Sequence, residues 1–131
     1  MTENQWKIFV EIHDGLPREG PGGDESTRIA WSCIRNIPER PRILDIGCGP
    51  GAQTVCLADI SKGEIHAIDN NAAFVDQLKK SMADRGVGGV IHPLIADRKQ
   101  DRHSYPSPFA ISAYARGPSR GGIITLLNER R

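Results

Sequence analysis

Residues 42–51 read RILDIGCGPG, an apolar run interrupted by one acid and followed at once by a cluster of glycines. Arg42 to Ile46 has the length and the β-branched content of a strand. Gly47-Cys48-Gly49-Pro50-Gly51 is then a tight turn, and a helix beginning within or just after it carries Thr54, Val55 and Leu57 to about Asp59. Working outward, Glu64 to Asp69 (EIHAID) predicts a second strand with Ile65, Ala67 and Ile68 buried. Ala72 to Arg85 predicts a helix, because Phe74, Leu78 and Met82 recur at i, i+4 and i+8 with Val75 beside them and Gly86 closing it. Gly89 to Ala96 predicts a third strand. Strands alternating with helices specify a parallel sheet with right-handed crossovers, the first half of a doubly wound α/β fold. Ligands on such sheets lie at the carboxyl ends of the strands. Here those ends bring together the turn after Ile46, then Asp69, then Asp97.

Upstream the reading is looser. Trp6 to His13 clusters Ile8, Phe9, Val10 and Ile12 and fits either a short helix or a strand. Gly15 to Gly23, with Pro17 and Pro21, is a loop. Asp24 or Ser26 can cap the helix that follows, which runs to about Asn36 with Ile29, Cys33, Ile34 and Ile37 on one face before Pro38 and Pro41 stop it.

A chain of 131 residues, 38% apolar and 25% charged, fits one domain with a core poor in aromatic rings. No apolar stretch approaches the roughly 18–20 residues that span a bilayer, and the start lacks a basic-then-apolar leader, so a cytoplasmic protein without membrane contact is expected. The formal net charge of +1 gives no reason to expect a polyanion such as a nucleic acid as partner, although the average hides an asymmetry. Cys33, Cys48 and Cys56 are odd in number and lack a CxxC spacing, which predicts reduced thiols. His13, His66, His92 and His103 share no metal-ligand spacing, so no metal is expected.

A glycine-rich turn between strand and helix lets a ligand approach the backbone closely and aims helix amides at an electronegative group. Gly47, Gly49 and Ala52 satisfy the looser dinucleotide pattern, which keeps an NAD(P)-dependent oxidoreductase among the readings. Asp45, two residues before the first glycine, separates the alternatives. An anion beside the turn suits a pyrophosphate poorly and suits a ligand carrying an ammonium and a sulfonium well.

With these residues in place the chain resembles the class I S-adenosylmethionine-dependent methyltransferases of small-molecule type, over about residues 6–97. LDIGCGPG is nearly the consensus of their first motif. The resemblance implies a Rossmann-like sheet with S-adenosyl-L-methionine as cofactor and a small molecule as methyl acceptor. It also implies cofactor-binding roles for Asp45, Gly47, Cys48, Gly49, Gly51, Asp69, Asn70 and Asp97. Asp69, 22 positions after Gly47, falls where the family places an acid on the ribose hydroxyls, with Asn70 beside the adenosine and Asp97 near the adenine amino group. Residues 15–27 look like the arm that some members fold over the cofactor. Taken singly, Asp45 and Asp69 also read as turn or helix caps, and Cys48 as a small filler offering its amide. No catalytic residue is nominated.

The composition breaks after Asp97. Residues 1–97 hold 10 Lys+Arg and 14 Asp+Glu, net −4, whereas residues 98–131 hold 7 Lys+Arg and 2 Asp+Glu, net +5. This basic, Pro/Ser/Arg-rich tail shows no sustained period, and within it only Gly122 to Leu127 reads as a strand or a buried turn of helix. It is either a short natural tail or the product of a reading frame shifted near codon 98. The resembled family continues with further strands and takes its acceptor pocket from them. With only three strands, Arg42 to Ile46 would be left as an edge open to self-association or to a partner subunit completing the sheet. A non-catalytic S-adenosylmethionine-binding fragment is therefore the alternative to an active enzyme.

Overall fold

A computed structural model of the chain describes residues 2–13, 15–16, 18, 22–96, 110–113 and 123–126; at Trp6, Val10, His13 and the last two segments it describes the backbone alone. Strand β1 (Arg42–Ile46) leads through the glycine turn into α3 (Ala52–Ser61), then β2 (Glu64–Asp69), α4 (Ala72–Arg85) and β3 (Ile91–Ile95). Before them come α1 (Glu3–His13) and α2 (Asp24–Ser32), and after them β4 (Ala110–Ala113) and β5 (Ile123–Leu126). The sheet order is β3-β2-β1-β4-β5, with only β5 antiparallel to its neighbour. The three parallel strands β1 to β3 with their crossover helices are those read from the sequence, within one or two residues at most ends.

The register explains the core. Ile43 lies opposite Ile65, and Ile65 opposite Ile91, so three β-branched side chains form one buried row across the sheet. Val55, Leu57 and Ala58 of α3 and Leu78 and Met82 of α4 pack with that row. Burying such side chains contributes roughly 1.5–3 kcal/mol each. The α4 stripe is as its period predicts, with Phe74, Val75, Leu78 and Met82 all buried. Asn71 accepts from Ala73 N at its start, and Gly86, at φ 68°, closes its end.

Three expectations are corrected. First, β1 is not an edge: Ile43 to Ile46 pair in parallel with Ala110 to Ala113. Backbone donors and acceptors on a buried strand must find partners whatever the side chains, and this short apolar stretch supplies them. The sheet ends instead at β3 and β5, so self-association through β1 loses its basis. Second, α2 ends at Ser32 and is capped by Gly23, whose side of the turn has no side-chain cap; Asp24 instead pairs with Arg18 Nη2 at 3.0 Å. Third, α2 buries Thr27 against α3 and leaves Ile29 56% exposed and Cys33 exposed. The segment left open at Trp6 to His13 is helix, and Gly122 to Leu127 contributes a strand. The composition reading of the rest of 98–131, and Asp97 with it, lies outside the described residues.

Candidate functional site

The turn after β1 is held from beneath. Gly47 N and Cys48 N both donate to Ile68 O, at 2.7 and 3.0 Å, tying the turn to the end of β2. Gly51 N donates to Cys48 O at 3.1 Å, and Gly49 N donates to Asp69 Oδ2 at 2.9 Å. Pro50 has no N–H to offer. The amides of residues 47, 48, 49 and 51 thus all have partners within the chain. Gly51 shows why glycine is required: its φ is 93°, and a Cβ there would collide with Leu78 Cδ1.

Two carboxylates flank the turn. Asp45 is 3% exposed, and its Oδ2 accepts from Thr54 Oγ1 at 2.6 Å. Asp69 is half-buried at the end of β2; besides Gly49, it accepts from Asn71 N through Oδ1 at 2.9 Å. One side chain therefore joins the glycine turn to the start of α4. A carboxylate has about four lone-pair sites, so Asp69 keeps acceptor capacity for a ligand. Asn70 is exposed beside it, and Asn71 is buried with Nδ2 unpartnered.

Cys48 is buried between these acids. Burial first, then the charges of Asp45 and Asp69, push its thiol far above the ordinary range. Burial and the neighbouring acids both disfavour the thiolate that a nucleophile needs. Its environment suits a small filler, but its amide donates to Ile68 O and is not offered to a ligand.

The structure brings Asp45, Gly47, Cys48, Gly49, Gly51, Asp69 and Asn70 to one end of β1 and β2. Thr54 and Asn71 belong to the same cluster and were not singled out in the sequence. The signal for Asn71 was an Asn immediately before the periodic α4 stripe; for Thr54 there was only a hydroxyl one turn beyond the glycines. Beside the turn, Gly15 and Leu16 of the α1–α2 loop, Pro50 and the outer side of α4 at Asp76 and Lys80 enclose an open cleft of about 580 Å³. Away from this site, His66 and His92 stack across β2 and β3 with ring centroids 5.0 Å apart, and Glu64 Oε1 lies 3.0 Å from His92 Nε2. Among the described residues no group of three His, Cys, Asp or Glu is placed to hold a metal ion.

A family model described as a methyltransferase domain matches residues 43–109, half of the chain, from β1 to the residue before β4. The chain belongs to the methyltransferase domain family. Among curated relatives it is similar to the ribosomal protein L11 methyltransferase of Gloeobacter violaceus, 24% identical over 81 residues that cover 62% of this chain and 25% of that protein. Among solved structures it is similar in fold to an S-adenosylmethionine-dependent methyltransferase from Thiobacillus denitrificans in complex with S-adenosyl-L-homocysteine (TM-score 0.68, 20% identity, 84% of this chain, 44% of that one). An RNA methyltransferase from Salinibacter ruber, also in complex with S-adenosyl-L-homocysteine, has a TM-score of 0.64 at 15% identity, covering 74% of this chain and 61% of that one. The chain spans about a quarter of the curated relative and less than two thirds of either solved chain. No helix among the described residues is long and apolar enough to cross a membrane.

Proposed function

We propose that this chain binds S-adenosyl-L-methionine over the turn Gly47 to Gly51 and serves methyl transfer from it to a small-molecule acceptor in the cytoplasm. One observation carries the reading: two carboxylates, Asp45 and Asp69, flank a turn whose amides at 47, 48, 49 and 51 already have internal partners. A pyrophosphate over this turn would lie close to both carboxylates, whose charge disfavours it. A ligand carrying ammonium and sulfonium groups is matched electrostatically, which ranks an NAD(P)-dependent oxidoreductase below the methyltransferase reading. The residues therefore fit the cofactor by the chemistry of their groups.

When bound, S-adenosylmethionine supplies a methyl group activated by the positive sulfur. The chain's own work is to bind and orient. Asp69, fixed by Gly49 N and Asn71 N, accepts the ribose hydroxyls on its remaining lone pairs. Exposed Asn70 would lie beside the adenosine. Asp45 acts through its charge, since it is too buried for direct contact. The small-molecule acceptor is supported by the open cleft adjoining Pro50.

Calorimetric titration of the chain with S-adenosylhomocysteine and with NADH tests the cofactor. Binding of the first and not the second is expected, and the reverse overturns the reading. Asp69→Ala should weaken S-adenosylhomocysteine binding by about 1.5–3 kcal/mol, the usual worth of hydrogen bonds to a charged group; unchanged affinity would remove Asp69 from the site. Transfer of labelled methyl from the cofactor into small metabolites, rather than into acid-precipitated protein, tests the acceptor class. The ribosomal protein named in the curated relative makes protein the competing outcome.

A further inference from the structure

Thr54 lies in the first turn of α3 and is fully buried. A buried threonine in a helix commonly satisfies its hydroxyl on a carbonyl of its own preceding turn. Here the hydroxyl leaves its helix and donates to Asp45 Oδ2 on β1, at 2.6 Å. That length lies in the range of roughly 2.5–2.7 Å for a hydroxyl donating to an ionised carboxylate. Asp45 is itself 3% exposed, and a buried carboxylate holds its charge only where hydrogen bonds offset its lost hydration. Its charge nevertheless reaches the turn, for Cys48, three residues on, feels it.

We propose that Thr54 is a positioning residue: its hydroxyl anchors Oδ2 of Asp45 to α3, so that the carboxylate is held in place beneath Gly47 to Gly51, toward the cationic methionine end of the cofactor. The inference rests on the functional reading above and adds the residue that sets the site's preference for a charged ligand. Thr54 touches no ligand atom; it acts through Asp45. Two elements are coupled in this way, since the hydroxyl is carried by α3 and the charge by β1.

The test is a comparison of two probes on the full chain. S-Adenosylmethionine carries the ammonium and the sulfonium, whereas 5′-methylthioadenosine keeps the adenosine and has neither charge. Thr54→Val preserves shape and removes the hydroxyl. It should weaken S-adenosylmethionine about tenfold or more, as expected for a hydrogen bond to a charged group, and change 5′-methylthioadenosine less than about twofold. Thr54→Ser should restore the preference. In an Asp45→Asn background, Thr54→Val should cause no further loss, because the two act as one unit. Equal weakening of both probes, or of neither, overturns the proposal. Should Thr54→Val fail to fold, Thr54→Ala, which also removes the hydroxyl, takes its place: selective loss of S-adenosylmethionine supports the proposal and a uniform loss, or none, overturns it. A wild-type chain that binds neither probe overturns the functional reading, and this inference with it.

Discussion

Gly51 and His66 show at the scale of single residues how backbone and environment set the outcome of a substitution. At Gly51 a side chain meets two penalties at once, a φ of 93° and the side chain of Leu78. Gly51→Ala should therefore destabilise the chain by about 2 kcal/mol or more, given roughly 1–3 kcal/mol for an L-residue held in that region and a further cost for crowding a packed core. Urea denaturation checks this, and a midpoint equal to the wild type's would contradict it. His66 is held below its ordinary pKa, first by burial and then by His92 and Arg42, with Glu64 opposing. A histidine depressed in the folded state takes its proton more readily when unfolded. Stability should thus fall as pH drops below the unfolded value of about 6.5 and on through the lower folded one. His66→Gln should lose less stability than the wild type between pH 7.5 and 5.5, and parallel denaturation curves would refute the assignment. The acids at the strand ends were legible because their residue types and positions are local. Thr54 was not, because which residue faces Asp45 depends on how α3 docks onto β1.

Among the elements, α4 is the one whose start, stripe and end all follow from local sequence. Asn71 Oδ1 accepts from Ala73 N at 3.0 Å, while Nδ2 is buried without a partner. The two halves of one amide therefore act in opposite directions. Asn71→Ala should cost about 1 kcal/mol through the lost cap. Asn71→Ser keeps a capping oxygen and removes the unpartnered donor, so it should match or exceed the wild type; hydrogen exchange over Ala73 to Val75 reports both. The contrast with α2 is instructive. Its apolar spacing places Ile29 and Cys33 on one stripe, yet Thr27 is the buried residue and Trp31, one turn on, packs against the core. A period identifies a helix and a stripe on it, but in only nine residues the docking against α3 decides which stripe is covered.

At the scale of the whole molecule, β4 changes what the chain exposes. With Ala110 to Ala113 paired on it, β1 is the central strand of the sheet. Of the two edges, β3 carries Pro93, which cannot donate to an added strand and so resists edge-to-edge pairing. A form ending at Asp97 should therefore self-associate as its concentration rises, because an apolar strand would be left with unpaired backbone. Sedimentation of that form beside the full chain is the measurement; two identical monomeric profiles would show that β4 does not protect β1.

The sequence by itself determined the three parallel strands, the helices between them and the acids at their ends. Each is written in a short window: an apolar run, a glycine turn, a 3.6-residue period, an Asn before a helix. Tertiary structure alone decided the rest. It paired four amides of the glycine turn with Ile68, Cys48 and Asp69, gave the Asp45 carboxylate a partner on α3, and placed β4 beside β1. Those outcomes depend on distances between segments far apart in the chain, where hydrogen-bonding groups must be satisfied by whatever the packed fold brings near.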